Sequence, residues 1–437
     1  MHKISSIPAS KIHPSFQSEY RKSVLPNGLR VVTESTSHVR SVSVGVWLDV
    51  GSRDENEQNN GISHFIEHMV FKGTKRYSYQ KIAQSLESVG GYLNAFTTKE
   101  HTCYYARVLD DHLTRAIDVL SDLVQHPLFP PAEIEKERSV ILEELKNIED
   151  DPDDLIHDYL DANVYHHHPL GFPIIGTKET IGSITRSELL NHIEDRYAPQ
   201  NTVVAAAGNL NHDDFVGLVS KYFSRKGGKR SRTHLSAVPR HVNAKTLVYE
   251  KPIAQAHVCL GTLAYGVKSR HRYPFLVMNS LLGEGMSSRL FQNIREKYGF
   301  AYTVFSFASL LSDTGSFGMY VGTDNKHIDR SIELIHREID KLKTTPISAA
   351  ELKRTKSQLK GTTMLGLESM SNRMMRLGSG ELYFGQYLTL DEVLSSIDKV
   401  SVEDVSAIAS NLLRIENYST VIFKSKQDGK EPEREAA

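Results

Sequence analysis

The chain is poor in cysteine and almost without net charge. Cys103 and Cys259 are its only thiols in 437 residues. Two isolated cysteines exclude a disulfide scaffold and a thiolate zinc site, and fit a reducing compartment. The formal net charge is −1, which leaves no global basic field for nucleic acid. No apolar run approaches the roughly 20 residues of a membrane-spanning helix, so no membrane span is expected. The N-terminus has no signal-peptide apolar core. No acid precedes Glu19 and no arginine precedes Arg21. A flexible tail over 1–19 and a cytoplasmic location are expected. The remaining composition, 39% hydrophobic and 24% charged, suits about one to three domains that each bury a core.

Histidine, by contrast, is plentiful at 20 residues, and two stand four apart in His64-Phe65-Ile66-Glu67-His68. On a helix, that spacing sets both imidazoles on one face, one above the other. Both can then reach one metal ion, with Glu67 beside the metal rather than on it. The pattern is the inverted zinc-hydrolase motif H-x-x-E-H. Zinc takes imidazole nitrogen and carboxylate oxygen, and a catalytic site keeps a position open for water. With so many histidines a chance match is conceivable. The flanks Gly61-Ile62-Ser63 and Met69-Val70-Phe71 nevertheless read as buried helix, an odd place for two unpaired histidines.

The pattern along the chain predicts two similar halves. Asn27-Gly28 marks a turn, and the β-branched run through Val31 and Val32 marks a strand. A second strand is expected over 41–50, the motif helix after it, and another helix over 79–89. Two strands over 91–97 and 101–109 precede helices over 111–125 and 131–150, the last opened by Pro131. Residues 225–232 are basic, glycine-bearing and non-periodic. They read as a solvated linker or, less simply, a substrate-steering or nucleic-acid patch. Beyond it, strands over 257–265, 301–308 and 316–321 and helices over 274–282, 288–297 and from about 326 echo the first half. The fold class expected is α+β: two duplicated domains, each a largely antiparallel sheet covered by helices. The expected boundaries are 20–225, a linker over 226–245, 246–424, and a second flexible tail over 425–437.

Two histidines leave zinc short of a protein ligand, and a carboxylate from another helix would suit it. Glu137-Arg138-Ser139-Val140-Ile141-Leu142-Glu143-Glu144 offers three. Glu137 and Glu144 are seven apart and share a helix face, while Glu143 points elsewhere. Glu144 could bind the metal, with Glu137 fixing a histidine tautomer from behind. On composition alone, a solvated acidic face is the better reading.

Here the chain resembles the pitrilysin-type (M16) metallopeptidases, above all the half-length branch with the mitochondrial processing peptidase and its bacterial relatives. The resemblance rests on Leu25-Pro26-Asn27-Gly28-Leu29, the H-x-x-E-H segment, Asn94-Ala95-Phe96-Thr97, Glu137 to Glu144, His168-Pro169-Leu170-Gly171 and Leu281 to Arg289. It implies a third zinc ligand about 76 residues past His68, which is Glu144. It also implies an arginine and, seven residues later, a tyrosine facing the zinc: Arg295 and Tyr302, not Tyr298. Without the resemblance, Tyr302 is a strand aromatic and Arg295 a solvated helix residue. The offset that carries Pro131 to Ala349 carries Glu144 to Thr362, so one Zn2+ per chain is expected.

The function implied is a zinc endopeptidase acting on extended, unfolded peptides or presequence-like segments. Glu67 would be the base, and Tyr302 with Arg295 would stabilise the oxyanion. Asn94, Ala95, Phe96 and Thr97 would pair with the substrate backbone, although Asn94 alone also reads as a turn residue. The family encloses substrate between two double-domain units. This chain supplies one unit carrying both the zinc motif and the Arg/Tyr pair, so a homodimer with the active site shared in trans is expected. The family's glycine-rich segment is short here, Gly283-Glu284-Gly285-Met286, which puts a separate presequence-gripping loop in doubt.

Overall fold

The computed structural model describes residues 18–225, 238–239, 241–242 and 244–426. Both expected tails, apart from residues 18–19 and 425–426, and most of the basic linker therefore lie outside the described residues. Within them are two sheets. The first joins β1 (Glu19–Val24), β2 (Arg30–Ser35), β3 (Ser41–Leu48), β4 (Tyr92–Thr97), β5 (Thr102–Leu109) and β6 (Thr202–Gly208) in the order β1-β2-β6-β3-β5-β4. The second joins β7 (Thr246–Lys251), β8 (Ala256–Ala264), β9 (Ala301–Leu310), β10 (Gly315–Thr323) and β11 (Ser419–Ser425) in the order β7-β11-β8-β10-β9. Each sheet has one parallel pair, β2 with β6 and β7 with β11, and is otherwise antiparallel.

The helices of the first half are α1 (Ile62–Val70), α2 (Tyr79–Glu87), α3 (Leu113–Gln125), α4 (Pro131–Asp150), α5 (Pro152–Val164), α6 (Lys178–Ser183), α7 (Arg186–Arg196) and α8 (His212–Tyr222). Those of the second are α9 (Arg272–Gly283), α10 (Ile328–Thr344), α11 (Ala349–Gly366), α12 (Met370–Phe384), α13 (Leu390–Asp398) and α14 (Val402–Leu412). The duplication is visible in matched elements. β5 and β10 each pass through a short 3₁₀ turn, Asp110–His112 and Asn325–His327, into α3 and α10. The helix expected over 288–297 exists, but Phe291–Glu296 within it is π-helical.

The strand ahead of the Asn27-Gly28 turn was not foreseen. β1 is an edge strand with the sequence Glu-Tyr-Arg-Lys-Ser-Val and no fully buried residue, so it carries no apolar alternation to read. Gly28 takes φ +90 in the turn that pairs β1 with β2.

Each half lends one helix to the other half's sheet. On β3, Val42, Val44, Val46 and Leu48 enter the core under the first-half helices. The alternate residues face α12, where Trp47 packs with Met374 and Leu377, and Ser43 Oγ lies 3.1 Å from Ser371 Oγ. On β8, Ala256, Val258 and Leu260 enter the second core, while Cys259 packs with Leu160 and Val164 of α5. Glycine permits each close crossing. A Cβ at Gly45 would sit 2.6 Å from Met374 Sδ, and one at Gly261 2.6 Å from Leu160 Cδ2.

A buried ion cluster ties the halves together. The Arg53 side chain is 1% exposed and that of Glu100 0%, and they meet at 2.6 Å. Arg53 also donates to Asp313 at 2.7 and 2.8 Å, and Ser312 N and Tyr383 OH donate to Glu100 at 2.9 and 3.0 Å. At such burial the charges need this full set of partners.

Candidate metal centre

The centre is built on α1. Its N-cap is Gly61 at φ +90, where a Cβ would fall 2.6 Å from the Ile175 carbonyl oxygen. The orphan amides at this end are taken up by Glu55, which accepts from Gly61 N at 2.8 Å, Ser63 N at 2.9 Å and Asn60 Nδ2 at 3.0 Å. Burial raises its carboxyl above the usual range, against those bonds. One face of α1, with Phe65, Ile66, Met69 and Val70, is fully buried. That leaves His64, Glu67 and His68 on the open side.

Helix α4 crosses α1 and presents the carboxylates. Ile134, Glu137 and Ile141 are its buried residues, so the face that holds the helix down also carries Glu137 and, one heptad on, Glu144. Glu144 oxygens lie 3.9 Å from His64 Nε2 and 3.5 Å from His68 Nε2. One donor atom from each of His64, His68 and Glu144 falls within 4.8 Å of the others. Tetrahedral zinc with bonds of roughly 2.0–2.1 Å holds its ligands about 3.4 Å apart, so the donor set suits zinc with small rotamer adjustments. Glu143 points away and pairs with Lys146 at 2.9 Å.

Glu137 stands behind the cluster. It takes His68 Nδ1 at 3.1 Å and Lys72 Nζ at 2.5 Å. This leaves His68 Nε2 free to face Glu144, the tautomer a metal-binding imidazole needs. Glu67 is not one of the cluster's donors, and Thr97 Oγ1 donates to its Oε2 at 2.6 Å.

The electrostatics follow from this packing. Burial and the neighbouring His68 pull the His64 imidazole down to about 4, against Glu144. Burial opposes protonation of His68 too, but Glu137 and Glu144 outweigh it and lift that imidazole to about 9. Burial raises the Glu67 carboxyl, and the Thr97 bond partly offsets it. Glu144 is held low chiefly by its hydrogen bond from His68. For Glu137 burial is again opposed and outweighed, by His68 and Lys72.

The other expected residues divide between the two sheets. β4 is an edge strand, paired on one side with β5. Thr97 ends it beside Glu67, and Phe96 is drawn inward against Trp47 with ring centroids 5.6 Å apart. Asn94 is exposed and donates to Tyr92 OH at 2.6 Å, and Ala95 follows it in the strand. Tyr302 lies at the start of β9, the edge of the second sheet, and Arg295 on the π-helical turn before it, with the guanidinium 5.7 Å from the ring centre. Tyr302 is 74% exposed. Thr362 stands in α11, and the metal cluster found among the described residues contains no residue of the second half. Sequence reasoning overlooked Glu55, Lys72 and the contact of Thr97 with Glu67. Only Lys72 left a signal, four residues after His68.

Comparison with known proteins identifies the family. The family model described as Insulinase (Peptidase family M16) matches residues 30–178, and that described as Peptidase M16 inactive domain matches 183–359. The chain is 42% identical to the uncharacterized zinc protease YmxG of Bacillus subtilis, over 91% of this chain and 96% of that one. It is 41% identical to an uncharacterized zinc protease of Mycobacterium leprae, over 90% and 89%. In structure it is similar to a protease from Helicobacter pylori, with a TM-score of 0.88 and 25% identity over 93% of this chain and 99% of that one. By its sequence, its two matched domains and its fold, the chain belongs to the M16 (insulinase) peptidase family.

Proposed function

We propose that the protein is a zinc-dependent endopeptidase that cleaves extended, unfolded peptides or presequence-like segments. The observation that carries this reading is the convergence of His64, His68 and Glu144 donor atoms within 4.8 Å, with the carboxyl of Glu67 held beside them by Thr97. His64, His68 and Glu144 would hold one Zn2+. Bound there, zinc supplies Lewis-acid polarisation of the scissile carbonyl and a more acidic water. Glu67 accepts the proton of the attacking water and delivers it to the leaving amine. Its buried position, which raises its pKa, suits a group that must both take and return a proton. Glu137 orients His68.

The exposed edge of β4 pairs with the substrate backbone, with Asn94, Ala95, Phe96 and Thr97 along it. Backbone pairing implies broad sequence tolerance and an extended substrate. Tyr302 and Arg295 donate to the oxyanion. We assign this role to the partner subunit's Tyr302 and Arg295 in a homodimer whose two chains enclose the chamber. A cytoplasmic location is proposed on the two isolated, buried cysteines. Cleavage of quenched peptides, measured before chelation, after it and after restoring Zn2+, tests the activity. The expected result is loss and recovery. Undiminished cleavage in the zinc-free protein would overturn the reading.

A further inference from the structure

A second site lies away from α1, α4 and β4. A cavity of about 290 Å³ opens where β1, the start of α9, the end of β9 and the α12–α13 region meet. Its walls are largely apolar and aromatic, with Tyr20, Leu310, Leu377, Phe384 and Tyr387 among them. A cleft of about 640 Å³ adjoins it and shares Val267, Arg272, Phe384, Gln386 and Leu388.

Arg272 stands between the two spaces. Its guanidinium lies 5.3 Å from the ring centre of Tyr273 and 5.2 Å from that of Phe384. Nε is enclosed and has no hydrogen-bond partner. The two Nη atoms are not enclosed, and among the described residues they donate to no protein group. Its near charged neighbour is another cation, Arg376, which lines the same cavity and donates to the Leu388 carbonyl. Glu381, the one acid of the smaller cavity, is met at Oε1 by Lys22 at 2.7 Å and Arg30 at 3.4 Å, while its enclosed Oε2 has no hydrogen-bond partner. Burial and Arg376 hold the Arg272 guanidinium below its usual range. Arg376 already has Glu392 of the adjoining cleft near it, but the half-buried Arg272 beside apolar walls is costly without an anion, and a guanidinium fork matches a carboxylate in geometry.

We propose that this cavity binds a small organic carboxylate, its apolar or aromatic body against Leu377, Phe384 and Tyr387 and its carboxylate on Arg272. The volume is at the lower end for small-molecule sites. A free organic acid and the C-terminus of a short peptide share this chemistry.

The test is calorimetric titration of the full chain with 3-phenylpropionate and with N-acetylphenylalanine, each beside its primary amide. Each acid is expected to bind at least about tenfold tighter than its amide, and the tighter acid identifies the source. Arg272→Gln should bring the acid down to the level of the amide. Gly380→Leu supplies a second variant. A Cβ at Gly380 meets nothing within 4 Å, leucine favours the helix over glycine, and its side chain would fill the cavity with Arg272 intact. That variant should lose binding of acid and amide while melting no lower than the parent. Equal binding of acid and amide would overturn the proposal, as would no binding by either acid. Acid binding that survives both substitutions would overturn it too, since that is the behaviour of carboxylate capture at the zinc ligands.

Discussion

Glu67 and Glu144 are both carboxylates beside the same two histidines, and their surroundings divide the labour. Glu144 reaches both imidazoles, whereas Glu67 is engaged by Thr97. Glu67→Gln is therefore expected to retain zinc and lose turnover by about 10²–10⁴-fold or more, and Glu144→Gln to lose most of its zinc. Elemental analysis beside peptide cleavage checks both, and the reverse pattern of metal retention would exchange the two roles. Thr97 adds a pH prediction. Its hydroxyl donates to the charged form of Glu67 and so lowers that pKa against burial. Thr97→Val removes the donor, the pKa rises, and the base form is reached only at higher pH. The acid limb of the kcat/KM profile should therefore move upward. An unmoved limb would mean that Thr97 does not tune the base.

At the scale of elements, α1 is nine residues long, too short to stand without tertiary support. Glu55 supplies that support by accepting from three donors at its N-terminus. Glu55→Ala would leave the amides of Gly61 and Ser63 buried without acceptors, and Asn60 Nδ2 with the Pro173 carbonyl alone. The expected loss is about 3 kcal/mol, read from urea unfolding of the zinc-free protein, with weaker zinc affinity as α1 frays. Wild-type stability in this variant would show that water replaces the carboxylate. Helix α4 needs less help from outside. Pro131 opens it, and its seven-residue spacing brings Glu137 and Glu144 to one face.

For the whole molecule, the exchange of α5 and α12 between sheets and the buried Arg53–Glu100 pair, with the exposed Asp313 on Arg53, join the halves of one chain. The exposed Tyr302 and its neighbour Arg295 are left on an outer edge, as a residue serving a second chain should be. Glu67→Gln and Tyr302→Phe homodimers are each expected to be inactive. In a mixed dimer with sites shared in trans, one site carries both defects and the other carries neither. Co-refolding the two variants should then restore activity. If exchange is verified by mass spectrometry and activity stays at the level of the parents, Tyr302 serves its own chain.

What could be read in the sequence was what depends on near neighbours. The 3.6-residue period sets His64 and His68 on one side of α1, and Asn27-Gly28 marks the β1–β2 turn. The bounds of α4 follow from Pro131 and periodicity. The duplication also appears in strand-to-helix patterns repeated along the chain. The tertiary structure decided the rest. Both faces of each sheet are covered, so β6 is buried throughout and no alternation reveals that α12, far along the chain, lies across it. β1 is polar and little buried, its charged side chains guarding an edge whose backbone is open to further pairing. The contacts of Thr97 with Glu67 and of Arg272 with the Phe384 ring are likewise set by packing. No local rule ties Thr97 to Glu67, 30 residues apart, or Arg53 to Asp313, 260 apart. Those contacts exist only once the sheets, and the helices exchanged between them, have closed around both cores.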